Sequence, residues 1–419
     1  MKNYTYTIIG NSVAAVGAVE AIRSVDRAGS MAVISDETHH VYSRPLITHY
    51  LAGEVSDEKM LYRPSDFYER NSIDAILGVR AESVDFEKRR INIGNDAVGN
   101  DKLLIATGGS PIVPDIPGTH LNGVFTMNTW DDARRMKEFL PGVRSAVVLG
   151  GGFTGLKTAE ALVEVGLKVT IVELSDRILS LLLDRESAKI VTNVFEEHSA
   201  TVLTGRTISN ICGEGEVESV SLDNGEKIDC RMVVLSIGVR PRLEIVQDSA
   251  VKLNRGVLVD RKMETSVPGV FAAGDVAEAY DALLGRNRVL PVLPNAYAGG
   301  RTAGLNMADR ESIFDFGASV NSTTFFGYPI VSAGFSTLEE DAEIIEGTSK
   351  SGYRRFVLQN DKLAGFVIAG DIDRAGLVLD LLRTKIPMNG LKERLVSGIS
   401  LMDLPEELRN EKLTLRRTP

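Results

Sequence analysis

Residues 147 to 162 read VVLGGGFTGLKTAEAL, an apolar strand, a run of glycines and a helix-like stretch with almost nothing between them. Gly150, Gly152 and Gly155 stand at G-x-G-x-x-G spacing. That spacing permits a tight strand-to-helix turn, close approach of the backbone to an anion, and close contact between helix and strand. It predicts a strand over Ala146–Leu149, a turn through Gly150–Gly155, a helix over Leu156–Val165 stopped by Gly166, and a strand over Lys168–Glu173. Residues 8 to 22, IIGNSVAAVGAVEAI, repeat the outline: a strand Tyr4–Ile9, a turn at Gly10, an Ala/Val-rich helix ending near Ser24, and a strand Met31–Ser35. One chain therefore holds two βαβ units, each about thirty residues long.

A helix opened by such a turn points free N–H groups at a phosphate. In the second unit Glu173 ends the next strand, and a carboxylate there accepts from both ribose hydroxyls and repels a 2′-phosphate. Glu173 thus favours NAD(H) over NADP(H), with Arg177 four residues on as the cation that argues the other way. The first unit is looser. Gly10 is present, Ser12 replaces the second glycine, and Ala15 stands third, where alanine is allowed. The Ser12 hydroxyl either donates to a phosphate or simply opens a helix, and either Asp36 or Glu37 suits an adenosine ribose.

A length of 419 residues exceeds one ordinary core and implies two or three domains. The net charge of −10 and the lack of a long basic run argue against nucleic acid as a partner. The start, MKNYTYTIIGN, has no apolar signal core, and no segment approaches 18 uninterrupted apolar residues, so a soluble cytoplasmic protein that does not enter the membrane is expected. Cys212 and Cys230 are the only cysteines, too few for a disulfide scaffold or an iron–sulfur site, so any metal cluster belongs to a partner. His39, His40, His49, His120 and His198 lack metal-ligand spacing, and no metal site is expected.

After the first glycine turn come LLIATGGSP at 103–111, the full second turn, LSIGVRP at 235–241 and GVFAAGDVAEA at 269–279, in that order. Together they resemble the pyridine-nucleotide:disulfide oxidoreductase superfamily over residues 1 to about 310. The resemblance implies an α/β fold of two Rossmann-like dinucleotide-binding domains plus a small C-terminal α+β domain. FAD would occupy a split domain, 1–115 and 246–316, and NAD(H) an inserted domain, 116–245, leaving 317–419 as an interface domain. On this pattern Gly10, Ser12, Ala14, Ala15, Asp36 or Glu37, Arg44, Pro45, Ala81, Ala106, Thr107 and Gly108 would surround FAD. Asp275 would meet its ribityl chain, and a helix N-terminus near Asn295, Ala296 and Tyr297 would face the isoalloxazine. Gly150, Gly152, Phe153, Thr154, Gly155, Glu173 and Gly238 would hold NAD(H).

Within the superfamily, VYSRPLITHYLAGE at 41–54 is similar to the branch of NADH:rubredoxin reductases and the flavin domain of NADH-dependent nitrite reductases. Disulfide-reducing members carry a Cys pair near this point, whereas this chain has Tyr42, Ser43, Arg44 and Pro45. Cys212 and Cys230 lie elsewhere and are expected to be buried, so electrons must leave from the flavin itself. Many relatives also carry a glutamate two residues past the third glycine, paired with a first-domain lysine. Here Lys157 stands in its place, and with Arg44 it forms the candidate catalytic pair: two cations converging on the flavin ring, unless Lys157 turns to pyrophosphate or solvent.

Residues 317–419 change character. RRFVLQ and KLAGFVIAGD read as strands and AGLVLDLLRTK as a helix whose apolar face either packs on the chain or forms a homodimer contact. The tail PEELRNEKLTLRRTP is a docking segment or a solvated helix. The function implied is an NADH:acceptor oxidoreductase passing electrons through FAD to rubredoxin, ferredoxin or an iron–sulfur subunit. The alternatives are an NAD-linked flavin subunit of a complex such as a 2-oxoacid (phenylglyoxylate) or carbon monoxide dehydrogenase, an NADH oxidase or peroxidase, which the missing cysteine disfavours, and a non-enzymatic NADH-sensing flavoprotein.

Overall fold

The computed structural model describes residues 1–315, 317–334, 342–349, 352–406 and 408–410; most of the charged tail, Glu407 and residues 411–419, lies outside the described residues. The first glycine turn grows out of a seven-stranded sheet. Its strand Lys2–Ile9 pairs in parallel with Met31–Ser35 on one side and Asp96–Ile105 on the other, so that Ile9 lies opposite Ile34 and Ile105. Ile73–Leu77 extends one edge, and Val270–Ala272, from far along the chain, adds in parallel to Asp96–Ile105. Met31–Ser35 is buried at all five positions, because both faces of such a parallel sheet are covered.

The second turn has the same setting. Ser145–Leu149 lies between Lys168–Glu173 and Met232–Leu235, with Thr201–Thr204 and Val124–Thr126 outermost, all parallel. In each sheet the chain leaves the first strand toward one neighbour and later returns on its other side. That reversal opens a crevice beyond the carboxyl end of the first strand, where open α/β sheets bind ligands. Gly10 and Gly150 stand at these two crevices.

Six helices matter to the site: α1 (Val13–Val25), α2 (Trp130–Phe139), α3 (Phe153–Glu164), α4 (Arg185–Glu197), α5 (Leu293–Met307) and α6 (Ala375–Thr384). Helix α3 begins three residues before the expected Leu156, because Gly152 is its N-cap and Gly155 falls inside its first turn. Helix α5 lies directly on α1: a Cβ on Gly300 would sit 1.9 Å from the Ala14 carbonyl oxygen, and one on Gly17 2.3 Å from that of Tyr297. The two backbones touch, so the returning chain closes the first unit. The strands Gly109–Pro111 and Val239–Pro241 pair antiparallel where the chain crosses between the two sheets.

The C-terminal unit is a five-stranded antiparallel sheet, and its apolar strand Lys362–Gly370 is covered on both faces. Phe366 and Ile368 pack in one core with Val378, Leu381 and Leu382 of α6. Val367 and Ala369, pointing the other way, join Leu156, Phe195 and Phe325 in the core shared with the second unit. The apolar face of α6 is therefore spent inside the chain.

Candidate active site between the two glycine turns

Both turns are built on a glycine with no alternative. Gly10 has φ of +119°, and a Cβ there would lie 2.0 Å from the Ala106 carbonyl oxygen; Gly150 has φ of +114°, and its Cβ would lie 2.2 Å from that of Ser236. Any side chain would push the strand end away from the segment that crosses beneath it.

A cavity of about 390 Å³ opens from the first turn. Gly10, Ser12, Ala14, Asp36, Glu37, Arg44, Pro45, Ala81, Ala106, Thr107, Gly108, Asp275 and Ala296 line it. Thr154 joins them from the first turn of α3, so the second glycine motif reaches the wall of the first motif's cavity. Ser12 caps α1 with extended backbone, and its hydroxyl makes no capping hydrogen bond. Arg44 Nε donates to that hydroxyl at 3.4 Å, while Nη1 donates to the Asn128 carbonyl at 2.7 Å and Nη2 pairs with Glu37. Free helix amides, a hydroxyl and a guanidinium thus meet at one place, which suits a pyrophosphate.

The two candidate ribose acids differ in what they already hold. Glu37 accepts from Tyr42 Oη at 2.6 Å with one oxygen and from Arg44 with the other. Asp36 meets Arg242 Nη2 through Oδ2 at 2.6 Å. Burial pushes the Asp36 carboxyl upward, but the hydrogen bond and charge of Arg242 outweigh it and hold the group below the usual carboxylate range. Asp275 is the opposite case: burial raises its carboxyl, and the charge of Arg44 only partly opposes this.

Several expected residues stand elsewhere. Ala15 is packed in α1, 2% exposed, and is no part of the cavity wall. Helix α5 starts at Leu293, so Leu293 and Ala296 face the cavity, whereas Asn295 donates to the Ala318 carbonyl at 2.8 Å and Tyr297 donates to Glu20 at 2.7 Å. Phe153 stacks on Phe325 of the C-terminal unit, with centroids 6.4 Å apart. Gly238 takes φ of +125° in the crossover, where its carbonyl accepts from Ile112 N at 2.9 Å, next to the cavity-lining Val239.

Lys157 is the main correction. It pairs with Glu160 one turn along α3 and donates to the Thr324 carbonyl at 3.3 Å, so it faces the C-terminal unit while Arg44 belongs to a separate network at Ser12, Glu37 and Asn128. The two cations do not converge. The physical reason is the segment Thr324–Phe326: the Thr324 carbonyl accepts from Lys157, the Phe325 ring lies 6.0 Å from its ammonium, and the Phe326 amide donates to Glu160 and so holds the carboxylate that pairs with it.

At the second turn Glu173 Oε2 accepts from Gly151 N at 2.6 Å and Oε1 from Ser175 N at 2.7 Å, which holds the carboxylate beside the glycines. Arg177 is turned away, donating to the carbonyls of Leu183 and Ser180 and pairing with Asp176. Gly152 is exposed, with nothing within 4 Å of where its Cβ would be, so the outer side of the turn is open to a ligand.

The cysteines take no part in the cavity. Cys212 and Asp229 flank Ser219 on its two neighbouring strands, and Cys230 follows Asp229. Two strand spacings, about 9.6 Å, exceed what a disulfide spans. Burial, with help from Asp229, pushes the Cys230 thiol up to about 12, away from reactive thiolate.

Asn11, Arg80, Asn128, Thr129, Arg242 and Glu244 also line the cavity, although none of them is a defining position of the glycine, ATGG or GD motifs of the sequence. Arg242 follows the LSIGVRP motif directly, and Thr129 with Asp132 forms a capping box at the start of α2, a signature visible in the sequence.

A family model for pyridine nucleotide-disulphide oxidoreductases matches residues 4–300. The chain is 29% identical over 404 residues to the NADH-dependent phenylglyoxylate dehydrogenase subunit epsilon of Aromatoleum evansii, covering 95% of this chain and 96% of that one. It is 30% identical to a rubredoxin-NAD(+) reductase of Pseudomonas putida over 69% of this chain and 76% of the relative. NADH:rubredoxin oxidoreductase from Clostridium acetobutylicum superposes with a TM-score of 0.79 at 23% identity, over 93% of this chain and 97% of that one. Among the described residues no helix is long and apolar enough to cross a membrane.

Proposed function

The chain belongs to the pyridine nucleotide-disulphide oxidoreductase family, and from that footing we propose that it is an FAD flavoprotein carrying electrons between NAD(H) and a protein redox carrier: a rubredoxin, a ferredoxin or an iron–sulfur subunit. The observation that carries this reading is Thr154, which brings the start of the NAD-side helix to the wall of the cavity that Ser12, Arg44 and Asp275 also line. A nucleotide on the second turn and one in the cavity therefore open on each other.

FAD, when bound, supplies hydride acceptance and one-electron release. The chain's own residues bind and orient. The α1 N-terminus, Ser12 and Arg44 hold the FAD pyrophosphate. Asp36 or Glu37, which both line the cavity, takes the adenosine ribose. Asp275 meets the ribityl hydroxyls, and the Gly150–Gly155 turn with Glu173 holds NAD(H). With no thiol lining the cavity wall, electrons go straight to the carrier: one NADH and two oxidised one-electron carriers give NAD⁺, one proton and two reduced carriers.

A second reading rests on the near-complete overlap with subunit epsilon of the Aromatoleum evansii enzyme. In it the same site serves a multi-subunit 2-oxoacid dehydrogenase, and the carrier is that complex's iron–sulfur subunit. Anaerobic assays of the purified chain with NADH and oxidised rubredoxin or ferredoxin test the first reading, which expects sustained turnover. Turnover with small dyes alone, together with co-purification of iron–sulfur subunits, favours the second.

A further inference from the structure

The chain carries a net charge of −10, yet one edge gathers cations. The strands Ala277–Asp281 and Arg286–Val289 form a hairpin in which Arg286 faces Asp281 and Arg288 faces Ala279. Both arginines are exposed and lie on one face of the strand, two residues apart. Asp281, the carboxylate across from Arg286, is 1% exposed and already accepts the amides of Leu283 and Leu284; its nearest approach to Arg288 is 3.7 Å. Lys385, just past the end of α6, lays its ammonium on the same hairpin turn, donating to the carbonyls of Ala282 at 3.2 Å and Leu283 at 3.5 Å. Arg383 is exposed two residues earlier and has no ion pair among the described residues. Two parts of the chain, more than 90 residues apart, thus bring four cations to one edge, where Asp281, 3.7 Å from Arg288, is the one carboxylate paired with any of them among the described residues. Such an arrangement costs self-repulsion that an acidic partner relieves.

Its position gives it a use. The strand Arg286–Val289 runs directly into Pro291, which lines the cavity, and then into α5. Pro291 stands three positions after Arg288, at most about 11 Å of chain away. Pro291 leads into Leu293 and Ala296, which line the same cavity from the start of α5.

We propose that the basic rim formed by Arg286, Arg288, Arg383 and Lys385 is the docking surface for an acidic protein electron carrier. The assignment rests on the carrier reading given under Proposed function. The test compares the FAD-loaded parent with Arg286→Glu/Arg288→Glu, using NADH with oxidised rubredoxin, with an oxidised [2Fe–2S] ferredoxin, and with neutral 1,4-benzoquinone. The expected result is unchanged benzoquinone turnover, with kcat/KM for at least one acidic carrier lowered roughly tenfold or more, through KM. Raised salt should slow carrier reduction by the parent and leave that of the variant nearly flat, and Arg286→Lys/Arg288→Lys should keep most of the parent's activity. Carrier kinetics unaffected by the charge reversal overturn the docking assignment alone. A parent that reduces benzoquinone but neither carrier overturns the carrier reading and the docking surface with it.

Discussion

Glu160 is 5% exposed and divides its oxygens between Lys157 and the Phe326 amide, the latter at 2.6 Å. Removing the cation leaves a mostly buried carboxylate half-satisfied, so Lys157→Met is expected to cost about 2–3 kcal/mol of stability. The flavin midpoint should not move, because Lys157 bonds away from the cavity. Denaturant unfolding and potentiometric titration read the two effects separately, and a shifted midpoint would return Lys157 to the ring. Asp275 makes a prediction of opposite sign. Its folded carboxyl is raised by burial, with Arg44 only partly opposing, so the folded state binds this proton more readily than the unfolded chain. The contribution of this group to stability therefore falls as pH rises through the folded value. The apoprotein of Asp275→Asn should melt above the parent at neutral pH, the gap closing as pH drops toward the ordinary aspartate range, while FAD binding weakens. Equal melting of both apoproteins at neutral pH would contradict this.

The helix pair α1 and α5 sets how tightly the cavity beyond Gly10 is closed. Ala14 lines the cavity, and its carbonyl oxygen lies where a Cβ on Gly300 would fall, so the same turn of α1 serves both contacts. Gly300→Ala should cost at least about 2 kcal/mol and loosen FAD, since the added methyl meets backbone that cannot turn aside. Trp130, the only tryptophan, follows Thr129 on the cavity wall, so its fluorescence follows FAD loading during titration. Undiminished FAD affinity in the variant would show that the two helices slide freely. Elements with local causes were legible beforehand. The strand, glycine turn and helix of each βαβ unit follow from spacing within a dozen residues, and the unbroken apolar run in KLAGFVIAGD marks a strand buried on two sides. The start of α3 was misplaced because glycine helix propensity argues against residues 153–155, whereas the turn requires the helix to begin there. Arg242 on Asp36 and Arg44 on Asn128 join positions 206 and 84 residues apart. No periodicity encodes such pairs. Lys157 was misdirected for the same reason, since its partner turn lies 167 residues on, at Thr324.

At the scale of the molecule, one sheet order occurs twice, and each copy puts a glycine turn at its reversal point. The crossover strands Gly109–Pro111 and Val239–Pro241 link the copies, and the C-terminal sheet grips the second through Phe325, Val367 and Ala369. The outcome is that the N-terminus of α3 and the cavity beyond Gly10 face one another. On the proposed reading Glu173 belongs to the NAD(H) site, and nucleotide choice follows from its charge. Because Glu173 also holds the Gly151 and Ser175 amides, Glu173→Gln tests charge with less damage to the turn than Glu173→Ala. The most direct test of the account is anaerobic rapid mixing of the FAD-loaded protein with NADH or NADPH, following the flavin absorbance. NADH should bleach the flavin roughly tenfold faster or more, a difference of about 1.4 kcal/mol, and Glu173→Gln should narrow that gap. A flavin that neither nucleotide reduces, in a protein that binds both, would contradict the claim that the two sites exchange a hydride.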